Sequence, residues 1–82
     1  MNTSSAIKYI YENTGKKIKF FREIKRMTLN ELSDKTGIRT EYLKKIEKGT
    51  AKGLLISKHL LKIANALDVK MVDIFDFTDE NK

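Results

Sequence analysis

The amino-acid sequence predicts an all-α protein in which five helices share one small, compact core. None of its 82 residues is proline, so no residue lacks the backbone N–H that a continuous helix requires. Apolar residues recur at spacings of three and four, and no segment keeps the two-residue alternation typical of a half-buried strand. Glycines are expected at the ends of the helices, where they let the backbone turn.

The first helix is predicted over about residues 15 to 26, with Thr14 as its N-cap. Its apolar residues recur at helical spacing and are expected to face the core: Ile18, Phe20, Phe21 and Ile24. The preceding stretch, residues 1 to 14, is an N-terminal extension whose apolar residues Ile7, Ile10 and Tyr11 share one helical face. The extension forms either an extra helix, which packs on the domain or contacts a second copy, or an arm.

Two short helices are predicted next, joined through a glycine. The second opens at Thr28, which forms a capping box with Glu31, and ends before Gly37 after about eight residues. The third is predicted over residues 40 to 48 and ends at Gly49. Two short helices with glycine at the bend are the sequence form of a helix-turn-helix.

The last two helices complete the predicted core. The fourth begins at Ser57, a favourable N-cap residue, and the fifth is a short turn over residues 70 to 75. Both are expected to bury their apolar side chains, namely Leu60, Leu61, Ile63, Ala64 and Leu67 in the fourth helix and Met71, Ile74 and Phe75 in the fifth.

Positive charge is concentrated in the middle of the chain. The net charge is +6, and residues 16 to 62 contain 14 basic and five acidic residues. The chain after residue 62 is net negative, and residues 77 to 82 are predicted to form an acidic tail. The basic middle is therefore a candidate surface for an anionic partner, although a solvated lysine-rich surface has the same composition.

The order of these motifs resembles the lambda-repressor-like family of bacterial and phage regulators, also called XRE or Cro/C1-type. That family carries Ile-x-x-x-Arg, then Thr-Gln-x-x-Leu-Ala, then Gly-Val, then Ile-x-x-Ile-Glu-x-Gly. The matching residues here are Ile18, Arg22, Thr28, Leu32, Gly37, Ile38, Leu43, Ile46, Glu47 and Gly49. The resemblance covers residues 15 to 76, taken as the helix-turn-helix domain, and implies double-stranded DNA as partner and a structural ion pair between Arg22 and Glu47.

The chain departs from the family pattern at several places. Leu29 replaces a glutamine that touches the DNA backbone, Ser33 replaces a small packed alanine, and Arg39 replaces the usual cap of the recognition helix. The segment over residues 50 to 56 is longer than usual and lacks its customary proline. These departures keep open an alternative, a protein-interaction module that retains the helix-turn-helix fold.

The third helix is the predicted recognition helix. At about 100° per residue, Leu43 and Ile46 share its buried side and are flanked by Tyr42 and Glu47. In a helix-turn-helix the opposite side enters the major groove, where lysine donates to guanine and glutamate accepts from cytosine. The candidate base-reading residues are Arg39, Thr40, Glu41, Lys44 and Lys45. The alternative interpretation of this face is a solvated surface with no ligand, in which Glu41 pairs with Lys45.

Other polar residues are assigned to the DNA backbone or to the surface. Candidate phosphate-binding residues are Lys16, Lys17, Thr28, Asn30, Lys48, Lys52 and Lys58. Such contacts give affinity and salt dependence rather than sequence preference. His59 is expected on the polar surface, and the aromatic rings are expected at the core margin rather than as stacking platforms.

The leading prediction is a dimeric, sequence-specific transcriptional regulator: a phage-type repressor, an antitoxin, or a controller protein of a restriction-modification operon. Val69, Val72 and Phe77 form an apolar surplus and are predicted to build a dimer interface. Such a dimer would place two recognition helices about one DNA turn, roughly 34 Å, apart on a palindromic operator.

Catalysis and membrane insertion are not predicted. The chain has no cysteine and one histidine, and its residues assemble no nucleophile with a base and no metal cluster, so no catalytic residue, cofactor or metal is expected. The longest apolar run, residues 54 to 56, is far too short to span a bilayer, and the N-terminus does not resemble a signal peptide. The protein is expected in the cytoplasm.

Overall fold

The computed structural model describes residues 3–54 and 57–77. These residues form five α-helices and no strand, which confirms the all-α prediction. The helices are α1 (Thr3–Ile24), α2 (Leu29–Thr36), α3 (Thr40–Lys48), α4 (His59–Leu67) and α5 (Met71–Ile74). Of the predicted acidic tail, residues 77 to 82, only Phe77 lies within the described residues.

The N-terminal extension and the first predicted helix are one continuous helix, α1, of 22 residues. The predicted helix start at residue 15 was therefore wrong, and Thr14 is not a cap. Thr14 lies inside the helix and is fully buried, and its hydroxyl has no hydrogen-bond partner among the described residues. A threonine followed by a glycine resembles a helix start locally. Here both residues lie in the middle of α1 and are buried.

Gly15 is the exception to the expectation that glycines end helices. A Cβ atom at Gly15 would lie 2.6 Å from the carbonyl oxygen of Glu47 and even closer to that of Ile46. Both oxygens belong to the last turn of α3, so α1 passes directly against the backbone of that helix. Only a residue without a side chain allows this approach.

The helix-turn-helix is formed by α2, α3 and the three residues between them. Thr28 and Glu31 form the predicted capping box, with N···O distances of 2.8 Å and 3.0 Å. At the other end, Gly37 adopts a left-handed conformation (φ 75°) and donates its N–H to the carbonyl of Ser33 at 2.8 Å. Thr36 closes the turn, because its hydroxyl donates to the carbonyl of Leu32 and accepts from the N–H of Ile38.

The fourth helix begins at His59, two residues later than predicted. The Ser57 hydroxyl donates to the carbonyl of Leu54 at 2.8 Å and accepts from the His59 N–H at 3.3 Å. It therefore stabilises the turn that precedes α4. The predicted burial of Leu61 was wrong, since this side chain is 54% exposed beside the buried face of α4.

The core lies between the five helices: α3 packs against α1 and α2, α4 packs against α2 and α1, and α5 packs against α4 and α1. Its fully or nearly fully buried side chains are Ile18, Leu32, Ile38, Leu43, Ile46, Ala51, Leu54, Leu60, Ile63, Ala64, Leu67 and Ile74. Three aromatic or aliphatic residues predicted to be buried are exposed instead: Phe20, Ile24 and Phe75. Phe20 and Ile24 lie on the outer side of α1, and Phe75 follows the last residue of α5. No helix in the described part of the chain has the length and apolar character needed to cross a membrane.

Candidate DNA-binding surface

Helix α3 has one buried side and one side that faces solvent. Leu43 and Ile46 are completely buried, and they attach the helix to the core. The side chains predicted to read bases lie on the other side, where all but the half-buried Thr40 are exposed: Arg39, Thr40, Glu41, Lys44 and Lys45. The structure therefore brings these five residues together on one surface.

Glu41 is available for contacts outside the chain. The sequence allowed an intrahelical ion pair between Glu41 and Lys45, one turn apart. In the described part of the chain no such ion pair forms. Glu41 and Lys45 are both exposed, so the carboxylate can accept a hydrogen bond from a ligand and the ammonium can donate one.

The N-terminus of α3 lacks a side-chain cap. Arg39 occupies the N-cap position in an extended conformation (φ −61°, ψ 144°) and makes no capping hydrogen bond. The first-turn amides of the helix are therefore left without a side-chain acceptor, and the exposed Arg39 immediately precedes them. Both groups favour an anion at this end of the recognition helix.

His59 is not the surface residue that the sequence predicted. Its ring is half-buried and packs edge to face against Tyr42, with 5.2 Å between ring centroids. Its Nδ1 atom is buried without a hydrogen-bond partner among the described residues. The two rings border an open groove of about 320 Å³ beside the start of α3, which Gly37, Ile38 and Arg39 also line.

The ion pair implied by the family resemblance is present in the structure. Arg22 on α1 and Glu47 on α3 make two hydrogen bonds, at 2.7 Å and 3.1 Å. Arg22 also donates to the carbonyl of Met27 at 2.8 Å, so it links the ends of α1 and α3 to the start of the helix-turn-helix. The hydrogen bond with Glu47 raises the pKa of Arg22, and the guanidinium stays charged at any pH used for DNA binding.

The candidate phosphate-binding residues are exposed, except for Lys17. Those exposed are Lys16, Thr28, Asn30, Lys48, Lys52 and Lys58. Lys17 is 5% exposed, and its Nζ lies 5.5 Å and 5.7 Å from the ring centroids of Phe20 and Phe21. This burial disfavours Lys17 as a phosphate contact, because its ammonium lies over two aromatic rings of the same helix.

Leu29 is half-buried and packs against the core at the start of α2. It therefore stabilises the domain but cannot donate a hydrogen bond to the DNA backbone. The backbone amides at this end of α2 remain the groups through which the helix can bind a phosphate.

Two of the three residues predicted to form a dimer interface make contacts within the chain. Val69 is half-buried against the core, and Phe77 packs edge to face on Tyr9 of α1 at 6.0 Å between centroids. Both side chains are thus partly covered within the chain, Phe77 by the N-terminal half of α1, and their part in a dimer interface stays a prediction. Val72 is 66% exposed, and the other exposed apolar residues of α4 and the α5 end are Leu61 and Phe75.

Tyr11 is the residue that sequence reasoning did not connect with the site. Its hydroxyl accepts a hydrogen bond from the N–H of Gly53, in the loop that follows α3, at 3.3 Å. The helical spacing of Ile7, Ile10 and Tyr11 indicated a buried face but not what covers it. A contact between residues 42 positions apart depends on the path of α1 across α3.

The described residues hold no group of three or more histidine, cysteine, aspartate or glutamate side chains that could bind a metal ion. The capped α2, the glycine turn and the half-exposed α3 define a helix-turn-helix DNA-binding domain. A family model of the Cro/C1-type HTH DNA-binding domain matches residues 17–80, and the chain belongs to this family.

A solved structure supports the same classification. The restriction-modification controller protein C.AhdI from Aeromonas hydrophila is similar to this chain with a TM-score of 0.72 and 25% sequence identity. The similar region covers 79% of this chain and 96% of that protein. No curated protein matches the chain.

Proposed function

We propose that the protein is a sequence-specific transcriptional regulator that binds a palindromic operator as a dimer and reads the major groove with α3. The observation that carries this proposal is the solvent-facing side of α3, where Lys44 and Lys45 are exposed directly opposite the buried Leu43 and Ile46. A Cro/C1-type domain uses the second helix of its helix-turn-helix in this way.

The chemistry of the face suits base recognition. The ammonium groups of Lys44 and Lys45 can donate to O6 and N7 of guanine, and Glu41 can accept from N4 of cytosine. Thr40 offers a methyl group for thymine and a hydroxyl for a base edge. Arg39, at the uncapped start of α3, can reach either a guanine or a phosphate.

The likeness to C.AhdI favours one kind of regulator. That protein is a restriction-modification controller, and it shares its whole fold with this chain. We therefore propose control of a restriction-modification operon as the first role to test, with the DNA upstream of the protein's own gene as the operator. A phage-type repressor or an antitoxin would use the same surface.

The decisive experiment titrates the protein into labelled upstream DNA and into a labelled random duplex. Fluorescence anisotropy measures both affinities across a salt series. Lys44→Ala and Lys45→Ala should each reduce the preference for the operator by about tenfold, because each removes a contact to a base edge. Lys70→Ala is the matched control, since Lys70 is exposed but precedes α5 in the acidic part of the chain. Its preference for the operator should equal that of the wild type.

An equal affinity for operator and random duplex, or an affinity that does not change with salt, would contradict the proposal. The second candidate, a protein-interaction module, would then be favoured. The observation behind that candidate is Leu29, which packs on the core at a position where the family usually has a DNA-contacting glutamine.

A further inference from the structure

The first 14 described residues of α1 precede residue 17, where the match to the family model begins. They nevertheless contact the end of the recognition helix and the loop after it. That loop carries Lys52, one of the exposed candidate phosphate-binding residues. The N-terminal half of α1 therefore touches a part of the surface that is proposed to bind DNA.

The first contact lies between Glu12 and the C-terminal end of α3. Gly49 ends α3 in a left-handed conformation (φ 81°), and a Cβ atom there would lie 2.7 Å from the Cα of Glu12. A Cβ atom at Gly15, about one turn further along α1, would lie 2.6 Å from the carbonyl oxygen of Glu47. The backbones of α1 and α3 thus meet without intervening side chains, which leaves little freedom in their relative position.

The second contact holds the loop itself. Ala51 and Leu54 are buried, at 3% and 0% exposure, and between them Lys52 is exposed. The N–H of Gly53 points inward and donates to the Tyr11 hydroxyl at 3.3 Å. The loop is therefore fixed at both ends by apolar burial and in the middle by one hydrogen bond from α1.

Lys52 borders a groove between α1 and this loop. Ile7, Lys8 and Tyr11 line one side of it, and Gly49, Thr50 and Lys52 line the other, around a volume of about 450 Å³. The Tyr11 ring is half-buried and packs against the core, so its hydroxyl is held in a constant place. That hydroxyl accepts the hydrogen bond from the Gly53 amide, which follows Lys52 directly in the chain.

We propose that Tyr11 is a positioning residue for DNA binding, which holds the loop over residues 50 to 54 so that Lys52 contacts a backbone phosphate beside the end of α3. The inference rests on the proposed function and adds the N-terminal half of α1 to the DNA-binding unit. Its ligand is the phosphate backbone, so its effect is on affinity and salt dependence and not on the choice of operator.

The test compares Tyr11→Phe with Tyr9→Phe in the full chain. Tyr11→Phe keeps the packed ring and removes the acceptor of the Gly53 N–H, whereas Tyr9 is 55% exposed and contacts Phe77 through its ring alone. Tyr11→Phe should weaken binding to operator and to random duplex alike, by about threefold to fivefold. Tyr9→Phe should bind both duplexes as the wild type does.

A double-mutant cycle shows whether Tyr11 acts through Lys52. Lys52→Ala alone should weaken binding to both duplexes. It should also make the salt dependence of the affinity shallower by about one counterion. If Tyr11 acts through Lys52, adding Tyr11→Phe to Lys52→Ala should weaken binding no further. The proposal would be overturned if the double variant lost as much binding free energy as the two single variants together. It would also be overturned if Tyr11→Phe bound DNA with the affinity of the wild type.

Amide hydrogen exchange at Gly53, measured without DNA, separates this inference from the proposed function. Exchange should be several-fold faster in Tyr11→Phe and unchanged in Tyr9→Phe, because only the first variant frees the N–H. Faster exchange with unchanged DNA affinity would overturn the inference and leave the proposed function intact. A wild-type protein that binds no duplex would overturn both.

Discussion

At the scale of single residues, Arg39 does not cap its helix but adds a positive charge to the candidate DNA-binding surface. It begins the recognition helix but makes no capping hydrogen bond, and its guanidinium is exposed. A serine or threonine at this position would satisfy an amide of the first turn. Arg39 instead offers that end of α3 a positive charge, which favours an anionic ligand.

The first prediction concerns the replacement of Arg39 by a capping residue. Arg39→Ser should raise the free energy of unfolding by about 1 kcal/mol, because the extended backbone at residue 39 already has the geometry of an N-cap. The same variant should bind the operator about tenfold more weakly, since a charged contact to DNA is lost. Urea unfolding and anisotropy measure the two effects.

Arg39→Ala is the matched control for Arg39→Ser. It removes the guanidinium and adds no cap, so it should lose the same affinity without any gain in stability. An Arg39→Ser protein that is no more stable than Arg39→Ala would show that a capping hydroxyl is not accommodated at this helix end.

At the scale of helices, the close crossing of α1 and α3 organises the site. Gly15 lets the two backbones touch, and the Arg22–Glu47 ion pair, whose side chains are 12% and 8% exposed, joins the same two helices. Breaking such a buried pair would leave one charge without its partner. The recognition helix is thus held to α1 by a backbone contact, an ion pair and the buried face that contains Leu43 and Ile46.

The second prediction concerns this crossing. Gly15→Ala should lower the free energy of unfolding by about 2 kcal/mol or more, although alanine is the better helix former, because the added methyl group meets two backbone carbonyls that cannot rotate away. Gly37→Ala has open space around it but a positive φ, so it should cost only about 1 kcal/mol of backbone strain. Urea unfolding of both variants checks the difference.

A Gly15→Ala protein as stable as the wild type would show that α1 can move away from α3. In that case the relative position of the two helices would be adjustable, and the contacts of Tyr11 and Glu12 would not be rigid. Near-UV circular dichroism would report whether the tyrosine environments change with such a shift.

At the scale of the whole molecule, positive charge is concentrated in the middle of the chain. Fourteen of the 17 basic residues lie between residues 16 and 62, which include α2 and α3, whereas the residues from α5 onward carry a net negative charge. Val72, Leu61 and Phe75, at the α4 and α5 end, are exposed apolar residues that a second copy could cover. A dimer formed through this end would leave the basic face of each copy open to DNA.

The third prediction is that the chain dimerises through α5. Val72→Glu should turn a dimer into a monomer in sedimentation velocity, and it should weaken operator binding at least about tenfold, because two half-sites are no longer bound together. Ile24→Glu is the matched control, since Ile24 is 58% exposed at the C-terminal end of α1, on a different helix from Val72. It should remain dimeric.

Dissociation of Ile24→Glu with a dimeric Val72→Glu would place the interface on the outer side of α1, where Phe20 is also exposed. A wild-type protein that sediments as a monomer at every concentration would contradict the dimer altogether.

The sequence by itself determined the elements that are defined by neighbouring residues. The capping box of α2, the glycine after it and the bounds of α3 are confirmed, because caps, turns and amphipathic faces depend on residues only three or four positions apart. The division of α3 into a buried and an exposed side follows from the same periodicity, and the family resemblance is confirmed by the match to residues 17–80.

Only the tertiary structure decided which distant residues meet. The continuity of α1, the buried Thr14, the burial of Lys17 and the contact of Phe77 with Tyr9 all differ from the sequence prediction. Local signals favoured a helix start at residue 15, but packing against α3 and the core stabilises one long helix instead. The hydrogen bond from Gly53 to Tyr11 has the same origin, because two residues 42 positions apart are brought together by the crossing of α1 and α3 and not by any pattern along the chain.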